Sequence, residues 1–259
     1  MREPIHAVQA VSETWRPERL LRWAFDTYQQ EVAISSAFGA EGMALIDMAS
    51  RVRANFRLFT LDTEFLFPET YDLIERVEQR YEIKVERVYS ALTPEDQEQL
   101  HGSALWKRDP DQCCNLRKIE PLRGKLAELQ AWITAIRRNQ TPDRAHAQKV
   151  EWDSKFQLVK INPLADWTSE AIWQYVRKHD VPYNPLHDRN YPSLGCTHCT
   201  RAIHSGEDPR AGRWADFRKT ECGLHSPEPR SAAPLVTIGA QPETEGNLRQ
   251  RTSVSAPSS

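Results

Sequence analysis

Hydrophobic and polar positions along this chain follow two alternating periods. Glu31-Val32-Ala33-Ile34-Ser35-Ser36 is a short run of β-branched and small residues that predicts a buried strand. Ahead of it, roughly Pro17 to Tyr28 is charged and amphipathic at helical spacing, and a helix from about Gly42 to Val52 follows it. The cycle then repeats with strand Arg57-Leu58-Phe59-Thr60-Leu61, a helix from Pro68 to Tyr81 with proline suited to its first turn, and strand Lys84 to Tyr89. Trp132 to Ile136 is a fourth strand candidate and Phe156 to Ile161 a fifth, while Thr168 can cap a helix reaching about His179. Strands alternating with helices predict an α/β fold built on a parallel sheet. No internal repeat interrupts the pattern.

From Tyr183 onward the periodicity fades into proline, glycine, histidine and charge, which predicts irregular structure organised by something other than a core. The stretch from Ser226 to Ser259 is polar and proline-bearing, and disorder is expected there. The resulting division is an N-terminal helical segment (1–30), a main body (31–225) and a tail (226–259).

Composition narrows the function classes. With 259 residues, 39% of them hydrophobic, the chain can bury one sizeable core without disulfide staples. Thirty-four basic and 36 acidic side chains leave a formal charge of -2, so neither nucleic acid nor a membrane surface is favoured as a partner. No apolar run approaches the ~20 residues of a membrane span, and the amino terminus lacks the apolar stretch of a signal peptide. The expected location is the cytoplasm, where thiols stay reduced and clustered cysteines bind metal or do chemistry. The odd count of five cysteines also leaves one unpaired.

The loop Ser35-Ser36-Ala37-Phe38-Gly39-Ala40-Glu41-Gly42 joins the first strand to its helix, where backbone amides can converge on an anion and small residues admit a phosphate. An ordinary strand-to-helix turn reads the same residues equally well. No Gly-Lys-Ser/Thr follows and no three-glycine fingerprint is present, so the loop is closer to a modified pyrophosphatase type. Leu61-Asp62-Thr63-Glu64 closes the second strand at the edge where open parallel sheets hold ligands, although Asp62 suits a turn cap as well. Arg137 and Arg138 follow the fourth strand at that same edge, and Arg210 and Arg213 stand three apart in Arg-Ala-Gly-Arg-Trp. Guanidinium forks suit phosphate or sulfate, yet such pairs are also common on solvated surface.

The cysteines carry the strongest signal. Cys113-Cys114 and Cys196-Thr197-His198-Cys199 are two close pairs, and soft thiolates so arranged suit zinc or an iron-sulfur cluster. Two Cys-x-x-Cys knuckles are the usual structural zinc pattern and adjacent cysteines fit it awkwardly, so the spacing favours iron-sulfur while leaving the metal open. Lys118, about one turn beyond Cys114, would set an ammonium beside such a cluster and an anionic substrate, or be a surface lysine. Cys222 stands apart in Lys219-Thr220-Glu221-Cys222-Gly223-Leu224-His225, where Lys219 and His225 would favour the thiolate, the attacking form. A tail bearing a nucleophile can enter a site, react, and hand a covalent product to a second reductant.

Taken in order, Ser-Ala-Phe-Gly-Ala-Glu, Leu-Asp-Thr with Phe-Pro-Glu-Thr, Cys113-Cys114, Ile-Arg-Arg-Asn-Gln, Asn-Pro-Leu-Ala-Asp-Trp, Gly-Cys-Thr-His-Cys-Thr, Gly-Arg-Trp and Glu-Cys-Gly-Leu-His resemble the assimilatory adenylyl-sulfate reductases. The resemblance runs from about residue 31 to 225 and marks that stretch as a catalytic domain. It implies an adenine nucleotide α-hydrolase-like (PP-loop type) α/β fold, with a parallel sheet flanked by helices and an irregular cysteine-bearing C-terminal segment. The implied activity is reduction of adenosine 5'-phosphosulfate (APS) to sulfite and AMP. Cys222 would attack the sulfate sulfur, AMP would leave, and the S-sulfocysteine would be cleaved by thioredoxin or glutaredoxin, a separate protein because no thioredoxin-like domain is attached. Enzymes of the 3'-phosphorylated substrate generally share Glu-Cys-Gly-Leu-His but lack the paired cysteines. Keeping all four implies APS and one [4Fe-4S] cluster per chain on Cys113, Cys114, Cys196 and Cys199. By position, Lys118, Arg210 and Arg213 would face the sulfate and phosphate, with Ser35, Ser36, Gly39, Leu61, Asp62, Arg137, Arg138 and His225 around the substrate. A homo-oligomer is compatible with this reading.

Two departures bear on the nucleotide contacts: Gly42 stands where many relatives have aspartate, and Ala135 where a glycine-containing pattern often precedes the arginines. Three competing expectations remain open. One is an enzyme accepting the 3'-phosphorylated substrate, one a tRNA-thiolating sulfur transferase, which would need ATP and an RNA surface, and one a non-catalytic four-cysteine zinc module.

Overall fold

The structure is a computed structural model that describes residues 3–217 and 219–225, so the tail expected to be disordered lies outside the described residues. Helices α1 (Glu3–Ser12) and α2 (Pro17–Tyr28) precede β1 (Val32–Ser35), α3 (Ala40–Val52), β2 (Leu58–Asp62), α4 (Pro68–Tyr81) and β3 (Val85–Tyr89). Four short helices come next: α5 (Pro94–His101), α6 (Leu105–Arg108), α7 (Pro110–Cys114) and α8 (Glu120–Leu126). The chain then forms β4 (Ala131–Ile133), β5 (Val150–Asp153), β6 (Leu158–Ile161) and α9 (Ser169–Lys178).

Among the described residues the strands form one six-stranded sheet in the order β3-β2-β1-β4-β6-β5. Every neighbouring pair is parallel except β5 with β6, so the expected parallel sheet carries one antiparallel strand at its edge. The turn between them explains the reversal. Asp153 Oδ1 accepts the amides of Lys155 (3.0 Å) and Phe156 (3.2 Å), Gln157 adopts φ 58°, and its amide returns to the Asp153 carbonyl at 2.7 Å. The fourth strand stops at Ile133 rather than Ile136, and Thr134 to Ile136 leave the sheet toward the ligand edge.

Strand period 2 divides the core between the two faces. Val32, Ile34, Ala131 and Ile133 pack with residues of α2, α3, α4 and α9, including Leu20, Met43, Leu73 and Ile172. Ala33, Phe59 and Trp132 point the other way, onto Leu122 and Leu126 of α8. β1 pairs with β2 on one side and β4 on the other, so the loops leaving their carboxyl ends diverge at a switch in strand order. That divergence opens a crevice over the carboxyl ends of these strands.

Candidate active site

A cavity of ≈ 470 Å³ lies over the carboxyl ends of β1, β2 and β4. Its floor includes Ser35, Ser36 and Gly39 together with the first turn of α3, the helix that begins at Ala40. Ser36 Oγ accepts the Phe38 amide at 3.0 Å, and Phe38 takes the left-handed φ of 57° that bends the loop. A Cβ on Gly42 would overlap Ser36 Oγ, so the Gly42 departure and the inward serine belong together. Gly39 caps α3 with no side-chain acceptor, which leaves first-turn amides free for an anion.

Positive side chains gather along the cavity wall. Arg137 lines it, but its guanidinium is shared with Glu41, through Nε at 3.0 Å and Nη2 at 2.9 Å. Arg213 crosses Gly195, donates to the Leu194 carbonyl at 2.6 Å and lies 4.5 Å from the Trp214 ring. Arg210 donates to the Thr220 carbonyl at 2.7 Å. The Nε atoms of both Arg210 and Arg213 are buried without a hydrogen-bond partner among the described residues.

Lys118 comes from an unusual turn. After Cys113 and Cys114 the helix widens into a π-turn over Asn115–Ile119, a feature that concentrates at functional sites. The turn buries two successive cations: Arg117 (1% exposed) pairs with Glu64 at 2.7 Å, and Lys118 (8% exposed) reaches the cavity. Burial pulls the Lys118 ammonium down, but Cys196, Cys114 and Cys222 around it outweigh burial and hold its pKa above the ordinary lysine value.

The last described residues form an arm docked against this wall. Glu221 (7% exposed) accepts from Thr141 Oγ1 at 2.9 Å and Arg144 Nη2 at 2.7 Å, with Arg144 Nε also 2.7 Å away. Despite burial, which raises a carboxyl's pKa, Arg144 and Arg210 hold the Glu221 carboxyl below its usual range. Lys155 donates to the Gly223 carbonyl at 2.6 Å, and Gly223 has φ 86°, a left-handed conformation in which any side chain would be strained. His225 stacks on Trp132, ring centroids 5.6 Å apart. Cys222 is thereby held at the cavity with Lys118, Arg210 and Arg213.

Several expected residues stand elsewhere. Arg138 does not line the cavity: it donates to the Ala147 carbonyl at 2.7 Å and to Glu13 at 2.6 Å, tying the N-terminal segment to the body. Asp62 serves the turn instead, accepting the Glu64 amide at 2.9 Å and the Tyr71 hydroxyl at 2.8 Å, while neighbouring Leu61 does line the cavity. Lys219 is engaged by Asp111 at 2.5 Å and by the Pro110 carbonyl. His225 lines the cavity, but burial first, and then the arginines and lysines about it, push its pKa well below normal, so its ring is a neutral neighbour of Cys222. Arg144, Glu221 and Trp132 are cavity residues that the sequence did not single out.

A family model described as phosphoadenosine phosphosulfate reductase domain matches residues 31–202. The chain belongs to this family. An adenosine 5'-phosphosulfate reductase of Halalkalibacterium halodurans is 50% identical over 207 residues, spanning 80% of this chain and 90% of the relative. Adenosine 5'-phosphosulfate reductase 2 of Bacillus subtilis is 47% identical, spanning 80% and 88%. Among solved structures, the phosphoadenylyl-sulfate (PAPS) reductase of Candida auris, a phosphate complex, superposes with a TM-score of 0.67 at 29% identity, covering 78% of this chain and 98% of that one. The FMN adenylyltransferase of Candida glabrata, with a TM-score of 0.54 at 14% identity over 82% of this chain and 77% of that one, shares the fold. These likenesses agree with the expected fold class, including helices on both faces of a sheet with a ligand edge.

In this phosphoadenosine phosphosulfate reductase family member the four paired cysteines are neighbours. Cys113, Cys114 and Cys196 are buried and Cys199 partly so, and all are free thiols. Burial, then Cys114, Cys196 and Cys199, push the Cys113 thiol up to about 12; burial, then Cys196, push Cys199 up to about 11. Among the described residues no three His, Cys, Asp or Glu side chains converge closely enough to hold one metal ion. Four thiols brought together from two separate segments suit an iron-sulfur cluster, in which each iron takes one thiolate. Three buried polar groups beside them, Trp214 Nε1, Thr200 Oγ1 and Arg117 Nη2, have no partner among the described residues, as suits a group rich in anionic acceptors.

Proposed function

We propose that this protein reduces APS to sulfite and AMP with Cys222 as the nucleophile. The observation that carries the reading is the docking of Cys222 in the cavity between Lys118, Arg210 and Arg213, at the edge where the α3 amides can take a phosphate. The relatives named adenosine 5'-phosphosulfate reductase support APS as the substrate.

The Cys222 thiolate attacks the sulfate sulfur, the bridging S–O bond breaks toward the phosphate, and AMP departs with the electron pair, leaving Cys222–S–SO3⁻. A dithiol reductant of the thioredoxin or glutaredoxin class then attacks that S–S bond through one thiol and resolves through the other. Sulfite leaves, Cys222 regains its thiol, and the reductant becomes a disulfide. The difficulty of the first step is electrostatic, since a thiolate must approach a sulfur ringed by anionic oxygens. Lys118, Arg210 and Arg213 lower that repulsion where the charge develops, and the docked arm fixes the line of attack. Ser35, Ser36, Gly39, Leu61 and Arg137 surround the nucleotide portion. Cys113, Cys114, Cys196 and Cys199 would hold a [4Fe-4S] cluster, which would supply a buried charge distribution near Lys118 and so tune this field.

One observation favours a second substrate: the structural relative from Candida auris is named a PAPS reductase. Competition between APS and its 3'-phosphorylated form measures the preference. For the main reading, Cys222→Ser is expected to bind AMP as the parent does and to yield no sulfite. Sulfite formation by that variant would overturn the assignment of the nucleophile.

A further inference from the structure

His198, between the second pair of cysteines, takes part in no step of the reaction, yet it is firmly placed. Its ring lies flat against Trp106, with centroids 4.0 Å apart and planes within 8°. Phe65 meets both rings edge-on, 5.0 Å from His198 and 5.3 Å from Trp106. These rings come from three separate parts of the chain: α6, the loop after β2, and the Cys196–Cys199 turn.

Phe65 is itself fixed from the other side. Its carbonyl accepts the Thr197 amide at 2.8 Å, and its amide donates to Thr63 Oγ1 at 3.3 Å. The Arg117 guanidinium lies 5.0 Å from its ring and is held by Glu64 at 2.7 Å and Gln97 at 2.8 Å. Arg117 belongs to the π-turn that follows Cys113 and Cys114. A continuous set of contacts therefore joins the two cysteine pairs: π-turn, Arg117, Phe65, then His198 stacked on Trp106. His198 is exposed and Trp106 partly so, which makes the stack the outer wall of the cysteine site.

We infer that Trp106 is a positioning residue for the cysteine-bound cluster, clamping the Cys196–Cys199 turn against Cys113 and Cys114 and screening the site from water and oxidants. This rests on the cluster reading given above. Trp106 touches no reacting atom, so its loss acts on retention of the cluster. Two ring contacts vanish in Trp106→Ala, whereas Trp106→Phe keeps a ring to pack on His198 and Phe65.

The test uses the full chain purified without oxygen, transferred to air-saturated buffer containing an iron chelator, with visible absorbance and released iron followed over time. Trp106→Ala is expected to bleach on the order of tenfold faster than the parent, Trp106→Phe at close to the parental rate, and far-UV circular dichroism to be the same for all three. Phe65→Leu provides a second variant should Trp106→Ala fail to fold, and it too is expected to bleach faster. An iron-loaded parent with Trp106→Ala or Phe65→Leu bleaching at the parental rate overturns the inference alone, as does Trp106→Phe bleaching as fast as Trp106→Ala. A parent without iron or visible absorbance overturns the cluster reading, and this inference with it.

Discussion

Removing the charge of Glu221 while keeping its shape, as in Glu221→Gln, tests whether the docked arm sets the rate of attack. Glu221 is paired with Arg144 at 2.7 Å, with side chains 4% and 10% exposed, and Arg210 stands 3.7 Å away. A glutamine still accepts one hydrogen bond, so the loss is less than that of a fully broken buried pair: about 2–3 kcal/mol of docking, or roughly 30- to 150-fold at ~1.4 kcal/mol per decade. The cost falls on the arm, because an undocked arm lets Arg144 reach water while the sheet core stays packed. The assay is single-turnover release of AMP, run beside thermal unfolding. The expected result is slower release by that factor with little change in the unfolding midpoint. An unchanged release rate, or a large fall in midpoint with no specific kinetic effect, would refute the latch. Its pH dependence has a definite sign. A carboxyl held below its usual pKa stabilises the docked arm above the ordinary glutamate range and loses that contribution only as pH falls through its depressed value. Cleavage of the arm by an acid-active protease should therefore remain slow through mild acid and rise below it, and Glu221→Gln should abolish that pH dependence.

Lys118→Gln removes the ammonium nearest the cysteines and is expected to slow AMP release by about 10²–10³-fold with a smaller effect on AMP affinity, measured by stopped-flow and calorimetry. Gly42→Ala brings a methyl onto Ser36 Oγ and should weaken AMP binding by roughly tenfold or more, with Ser36→Ala in the same chain restoring much of it; no rescue would mean the two do not clash. Arg138→Ala should lower thermal stability by about 1–3 kcal/mol through loss of the Glu13 and Ala147 contacts and leave AMP affinity unchanged, whereas a loss of affinity would return this residue to the nucleotide site.

What the sequence made legible follows from local pattern. Val32-Ala33-Ile34 and Leu58-Phe59-Thr60 read as buried strands because both faces of the sheet are covered, and Pro68 and Thr168 mark the helix starts in the sequence. β5 was missed because Val150–Asp153 is a half-buried edge strand of four residues without clear alternation. The helices from α5 to α8 run four to eight residues each, too short for a 3.6-residue period to declare itself. Trp132-Ile133-Thr134-Ala135-Ile136 has strand composition throughout, and only tertiary context ends the ladder at Ile133. Within the site, Cys222 and the paired cysteines were visible as spacing. Arg144 and Glu221, 77 residues apart, meet only after folding, and neither carries a local motif. Arg138 and Asp62 sat at the right strand ends, but their side chains found partners in the fold.

The most direct test of the central claim is intact mass and peptide mapping after a single-turnover incubation of iron-loaded protein with APS and no reductant. An adduct of about 80 Da on Cys222, with one AMP released per modified chain, is the expected result. An iron-loaded protein that binds AMP yet gains no mass on Cys222 would contradict it.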